Sequence, residues 1–95
     1  MDSVLQAITL VDQLDPEEWR EFDYDRLQKQ LAHLGGLHHL IDAAIAQADS
    51  LILQHEAGEE HQAYERTKMM KTMLTERSRR VQREASYCQT LTKNP

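Results

Sequence analysis

The chain has 95 residues, of which 40% are hydrophobic and 28% charged, with one Trp, one Phe, three Tyr and a single cysteine. That length fits one domain, close to the lower size at which one apolar core suffices. A lone Cys88 excludes an intramolecular disulfide and a cysteine-based zinc site, and no apolar run approaches the ~18 residues of a membrane span. The net charge of −5 is unevenly spread: residues 1–60 hold 13 Asp/Glu against 3 Lys/Arg, residues 61–95 hold 3 against 8. Side by side in a hairpin, such halves attract. Met1-Asp2-Ser3-Val4 lacks the basic opening of a secretory signal. An unmated thiol suits a reducing compartment, so a cytoplasmic location is expected.

The first element is a short amphipathic helix over 3–14. Asp2 or Ser3 stands at its start, and Val4, Ile8 and Val11 repeat at helical spacing beside Ala7 and Leu14. Alone it is too short to be stable in water, so it must dock.

Asp15-Pro16-Glu17-Glu18 is the next start signal. Asp15 has the chemistry of an N-cap, proline loses no needed donor at the first helical position, and Glu18 can reach back to complete a capping box. A long helix is therefore expected over about 16–56. The stretch Asp23-Tyr24-Asp25 is compatible both with a bend, capped by Asp25 and Gln28, and with uninterrupted helix.

From Tyr24 onward, Leu27, Leu31, Leu34, His38, Ile41, Ile45, Ala48, Ile52 and His55 alternate steps of three and four. That is a heptad seam, the pattern of helices packed side by side. Leu37, Ala44 and Leu51 form a second row beside it, widening the apolar face enough to touch two neighbours. Gly35-Gly36 is either a break between two helices or a weak point in one. The unshifted heptad phase, with Leu34 and His38 four apart, favours one helix.

Ala57-Gly58-Glu59-Glu60 reads as a turn, with Gly58 ending one helix and the two acids suiting the positive start of the next. The last helix is expected over about 60–90. Its stripe is Ala63, Thr67, Met70, Leu74, Ser78, Val81, Ala85 and Cys88, with Tyr64 and Met73 alongside. Met70 and Met73 read as core filling, whereas Met69 falls off the stripe and is expected at the surface. The fold class is thus all-α: an elongated, coiled-coil-like antiparallel hairpin with a short N-terminal helix.

Chemical sites are sparse. Among His33, His38, His39, His55 and His61 no pair shares the i, i+3 or i, i+4 spacing that puts two ligands on one metal, so no metal is expected. The group His55, Glu59, Glu60 and His61 could converge only across the turn. Cys88 has no histidine near it in sequence, and there is no glycine-rich phosphate loop, so no catalytic residue and no cofactor is assigned. His38, placed in the seam, would weaken association at acidic pH if an interface buried it. Arg77, Arg79, Arg80 and Arg83 form a basic cluster able to meet phosphates. A small dimeric DNA-binding regulator is therefore the alternative reading, although no aromatic is interleaved and the chain as a whole is acidic.

The segment Ala57-Gly58-Glu59-Glu60-His61-Gln62-Ala63-Tyr64, between two amphipathic helices, resembles the small co-chaperones of type III secretion needle subunits. The likeness spans residues 27–82 and departs from that pattern in Ala63 between Gln62 and Tyr64, in the added N-terminal helix and in the basic last helix. Glu18-Trp19 ahead of a long hairpin is similar to helical-bundle flagellar export chaperones. The resemblance implies a cytoplasmic hairpin that pairs with a second chaperone and keeps a filament subunit from polymerising. The residues themselves point the same way, to a non-enzymatic module that binds a protein partner or itself. Leu27, Leu31, Leu34, Ile41, Ile45 and Ile52 are expected to pack on the last helix, and Leu37, Ala44, Leu51 and Met69 to meet a partner. A homodimeric structural protein is the remaining alternative.

Overall fold

A computed structural model gives the architecture and describes residues 2–56 and 61–93. Three α-helices, α1 (Asp2–Asp12), α2 (Tyr24–Glu56) and α3 (His61–Lys93), account for nearly all of them, with one 3₁₀ segment at Pro16–Glu21. The two long helices pack against each other as a hairpin, and α1 lies against both. The molecule measures 56 × 18 × 17 Å with a radius of gyration of 16.2 Å, against about 12 Å for a compact domain of this length. The Gly58 turn lies outside the described residues.

The seam on α2 forms the core with its partner stripe on α3. Leu34, Ile41, Leu74, Val81 and Cys88 are all but completely shielded, and Leu27 is buried with them. Polar pairs on one side of the seam fix the register: Asp49 with Lys71 (2.6 Å), Asp42 with Ser78 (3.4 Å), His38 with Gln82 (2.9 Å). The row Leu37 and Ala44, about a sixth of a turn round from the seam, is closed by the chain itself. Ala7 and Val11 of α1 are buried in one cluster with them. The two apolar rows of α2 thus serve α3 and α1.

Three local expectations give way. Asp15 makes no side-chain cap, and its carbonyl instead accepts the Glu18 N–H at 3.2 Å, so the segment after Pro16 is a 3₁₀ turn and not the first turns of a long α-helix. The packing of Trp19 accounts for this. Its side chain is buried against Tyr87, ring centroids 6.2 Å apart, and Arg20 Nε donates to the Tyr87 hydroxyl at 3.2 Å. The chain must then bend at Phe22-Asp23 to enter the hairpin. The cap of α2 is accordingly Asp23, whose Oδ1 accepts the Arg26 N–H at 2.9 Å, and not Asp25. Tyr24, placed first in the seam by its spacing, is 62% exposed because the helix only begins there.

Gly35 and Gly36 do not break α2. Neither has a positive φ, and a Cβ at either would meet nothing within 4 Å. The fold of one chain therefore has no steric need for glycine at these positions. Gly35→Ala is expected to raise stability by about 1 kcal/mol through helix propensity, read as a higher melting temperature. Ile41→Ala, which empties the centre of the seam, is expected to cost about 2–5 kcal/mol in urea denaturation. A loss below about 1 kcal/mol would mean that the seam is not the core.

Candidate functional site

The ten residues expected to pack on the last helix or to meet a partner divide sharply. Leu27, Leu34, Leu37, Ile41 and Ala44 are buried, while Leu31, Ile45 and Ile52 are half-buried. Leu37 and Ala44 were expected to face a partner; both are instead buried in one cluster with Ala7 and Val11 of α1. Leu51, one heptad beyond Ala44 on the same row, is 38% exposed, and Met69 is 68% exposed. By the register of the Asp49–Lys71 pair these two stand at the same level of the hairpin, near its turn end.

The methionines on α3 follow the same division. Arg77, which holds Asp12 at 3.2 and 3.3 Å, and Arg80, which donates to the Leu14 carbonyl at 3.3 Å, mark the side of α3 that carries the end of α1. One heptad toward the turn on those two rows stand Met70, half-buried against the core, and Met73, 42% exposed. Met73 is therefore not core filling. Leu51, Met69 and Met73 are each exposed on the turn half of the hairpin. Periodicity pointed to Leu51 and Met69. It missed the exposure of Met73, because a side chain on the shoulder of a stripe is covered only if a third helix reaches it.

The basic cluster is not one surface. Arg77 and Arg80 are spent on the end of α1, while Arg79 and Arg83 are exposed around a shallow hollow with Glu76, Gln82 and Ser86. Two separated guanidiniums beside a carboxylate grip a phosphate backbone less well than the four-arginine face that the spacing suggests. A second open hollow, lined by Ile52, Tyr64, Lys68, Lys71, Thr72 and Thr75, has Lys71 already engaged by Asp49. A third notch, between Trp19, Phe22, Leu27 and Leu91, is walled mainly by packed apolar side chains.

Among the described residues, titratable groups do not gather into a nucleophile, base and orienting acid. His38 is half-exposed, with Nδ1 3.4 Å from Asp42 and Nε2 2.9 Å from Gln82 Nε2, so a neighbouring carboxylate and an amide already occupy both of its nitrogens. Among the described residues no three His, Cys, Asp or Glu side chains group as metal ligands, and the His55 and His61 side chains lie outside that set. No helix in it is long and apolar enough to cross a membrane.

Cys88 is fully buried, with Sγ 3.5 Å from the Leu27 carbonyl, and burial pushes its thiol pKa up. A buried, protonated thiol is a poor nucleophile. Because the folded state favours the neutral form, this contribution to stability is complete below the unfolded thiol pKa of about 8.5 and is lost as pH rises through it. Unfolding free energy should therefore fall as pH rises above the unfolded thiol pKa, and fall less steeply in Cys88→Ala. A thiol reagent at pH 8 should react at least about 100-fold more slowly with the native protein than with the denatured chain, since reaction requires opening. Equal rates would place Cys88 at the surface.

No family model, no curated protein and no solved structure matches this chain.

Proposed function

We propose that this protein is a non-enzymatic helical adaptor of the secretion-chaperone kind, acting in the cytoplasm, that receives an apolar helix of another protein at its turn end. The observation that carries this reading is the exposure of three large apolar side chains, Leu51, Met69 and Met73, on the turn half of the hairpin. A partner helix laid there would bury side chains that the chain itself leaves open. Flexible methionines suit a surface that must fit a partner closely. The hairpin form and the sequence of the turn segment point the same way, and so does the division of the basic cluster between α1 and solvent.

The test is purification from the native host followed by measurement of the bound partner's affinity. Leu51→Asp and Met69→Asp are expected each to weaken the complex at least about tenfold, a loss of about 1.4 kcal/mol. Both side chains are exposed, so the helical circular dichroism and melting of the protein alone should be unchanged. Unaltered affinity in both variants would contradict the reading. Salt-sensitive retention of duplex DNA that disappears in Arg79→Ala/Arg83→Ala would replace it with the nucleic-acid alternative.

A further inference from the structure

The solvent side of α2 carries a second heptad seam, opposite the one in the core. Ala32, Gly36, His39, Ala43, Ala46, Ser50 and Leu53 alternate steps of four and three, and every one of them is exposed. In a chain that is 28% charged, this seam has no Lys, Arg, Asp or Glu. The charges resume at Lys29 and Asp25, which occupy the next positions of the same pattern. The two acids between Lys29 and Glu56 lie on the other shoulder of the helix, where Asp42 meets His38 and Ser78 and Asp49 meets Lys71. A helix face bound for water is normally studded with charge, and its absence is the compositional mark of the centre of an interface.

We propose that this face is where a second copy of the chain binds, α2 against α2 in antiparallel orientation about a two-fold axis. Pairing each first heptad position with the fourth position of the other copy sets Ala43 against Ala46, His39 against Ser50 and Gly36 against Leu53. Small residues meet at the centre and a large one meets a small one toward each end, and the pattern is self-complementary, as a two-fold interface requires. Leu53, 69% exposed in the single chain, gains a socket at Gly36. Gly36 in turn gains a reason to be glycine, which the single chain does not supply.

Size and charge also point to a second copy. From Gly36 to Leu53 the contact runs about 27 Å along a helix about 10 Å wide, or roughly 300 Å² per copy. The α1-side shoulder adds Leu40, 46% exposed, with Gln47 and Gln54, and α1 adds Leu5, 58% exposed, with Gln6 and Thr9, all uncharged. A specific dimer buries about 600 Å² per copy at the least, so the contact extends onto these flanking uncharged residues. The exposed face of α3 offers no such match, since it bears Glu76, Arg79 and Arg83. An uncharged surface on one copy finds its counterpart in the same surface on another.

Sedimentation equilibrium from micromolar to millimolar protein tests this directly. The wild-type protein should approach twice the chain mass of 11.1 kDa. Ala43→Glu and Gly36→Leu should each weaken association at least about tenfold, by like-charge and like-size clashes at the two-fold contact. Each is an exposed substitution that leaves the core intact, and equal helical circular dichroism confirms that the variant is folded. Adding Leu53→Ala to Gly36→Leu should restore association, because only the antiparallel pairing brings these two positions together. A wild-type monomer at millimolar concentration would overturn the proposal without touching the turn-end reading, which rests on other residues. So would a dimer indifferent to Ala43→Glu and Gly36→Leu, and so would a failure of Leu53→Ala to compensate.

Discussion

Everything in this molecule depends on one contact: the heptad row Leu27, Leu34, Ile41 on α2 against Cys88, Val81, Leu74 on α3. Burying each large aliphatic side chain there contributes about 1.5–3 kcal/mol relative to exposure. Few other residues in so short a chain can do the same. The N-terminal helix adds Ala7 and Val11, and the 3₁₀ segment adds Trp19. Neither has enough apolar surface to hold itself without the hairpin. The same economy stretches the protein, because two 33-residue helices laid side by side cannot enclose a globular core.

Charge is arranged around that contact more than within it. The acidic first half and basic second half are brought together at Asp12–Arg77 and Asp49–Lys71. Partly exposed pairs of this kind contribute at most about 1 kcal/mol each. Their effect is to fix register and to seat the end of α1, which Arg80 also holds through the Leu14 carbonyl. Half of the arginine cluster is thereby committed to the fold.

How much of this was legible in the sequence follows from which signals are local. The seam, the unbroken passage through Gly35-Gly36 and the surface position of Met69 all follow from periodicity, and the structure agrees with each. The cap at Asp15 did not survive, because the burial of Trp19 on Tyr87, far along the chain, decides where the first turns bend. Leu37 and Ala44 read as partner-facing because sequence shows that a wide face needs two neighbours without showing that one of them is α1. The solvent-side seam was illegible for another reason. Ala, Gly and Ser carry little hydrophobic signal, and only exposure along the whole row, set against its lack of charge, makes it visible.

The proposed partner surfaces of this hairpin are the turn half with Leu51, Met69 and Met73 and the solvent side of α2. Amide hydrogen exchange tests them most directly, comparing the protein in its native complex with the protein alone at high dilution. Slower exchange in the complex over Gly36–Gln54 of α2 and Tyr64–Met73 of α3 is expected. Protection confined to Glu76–Lys93 of α3, with α2 unchanged, would contradict both proposed surfaces.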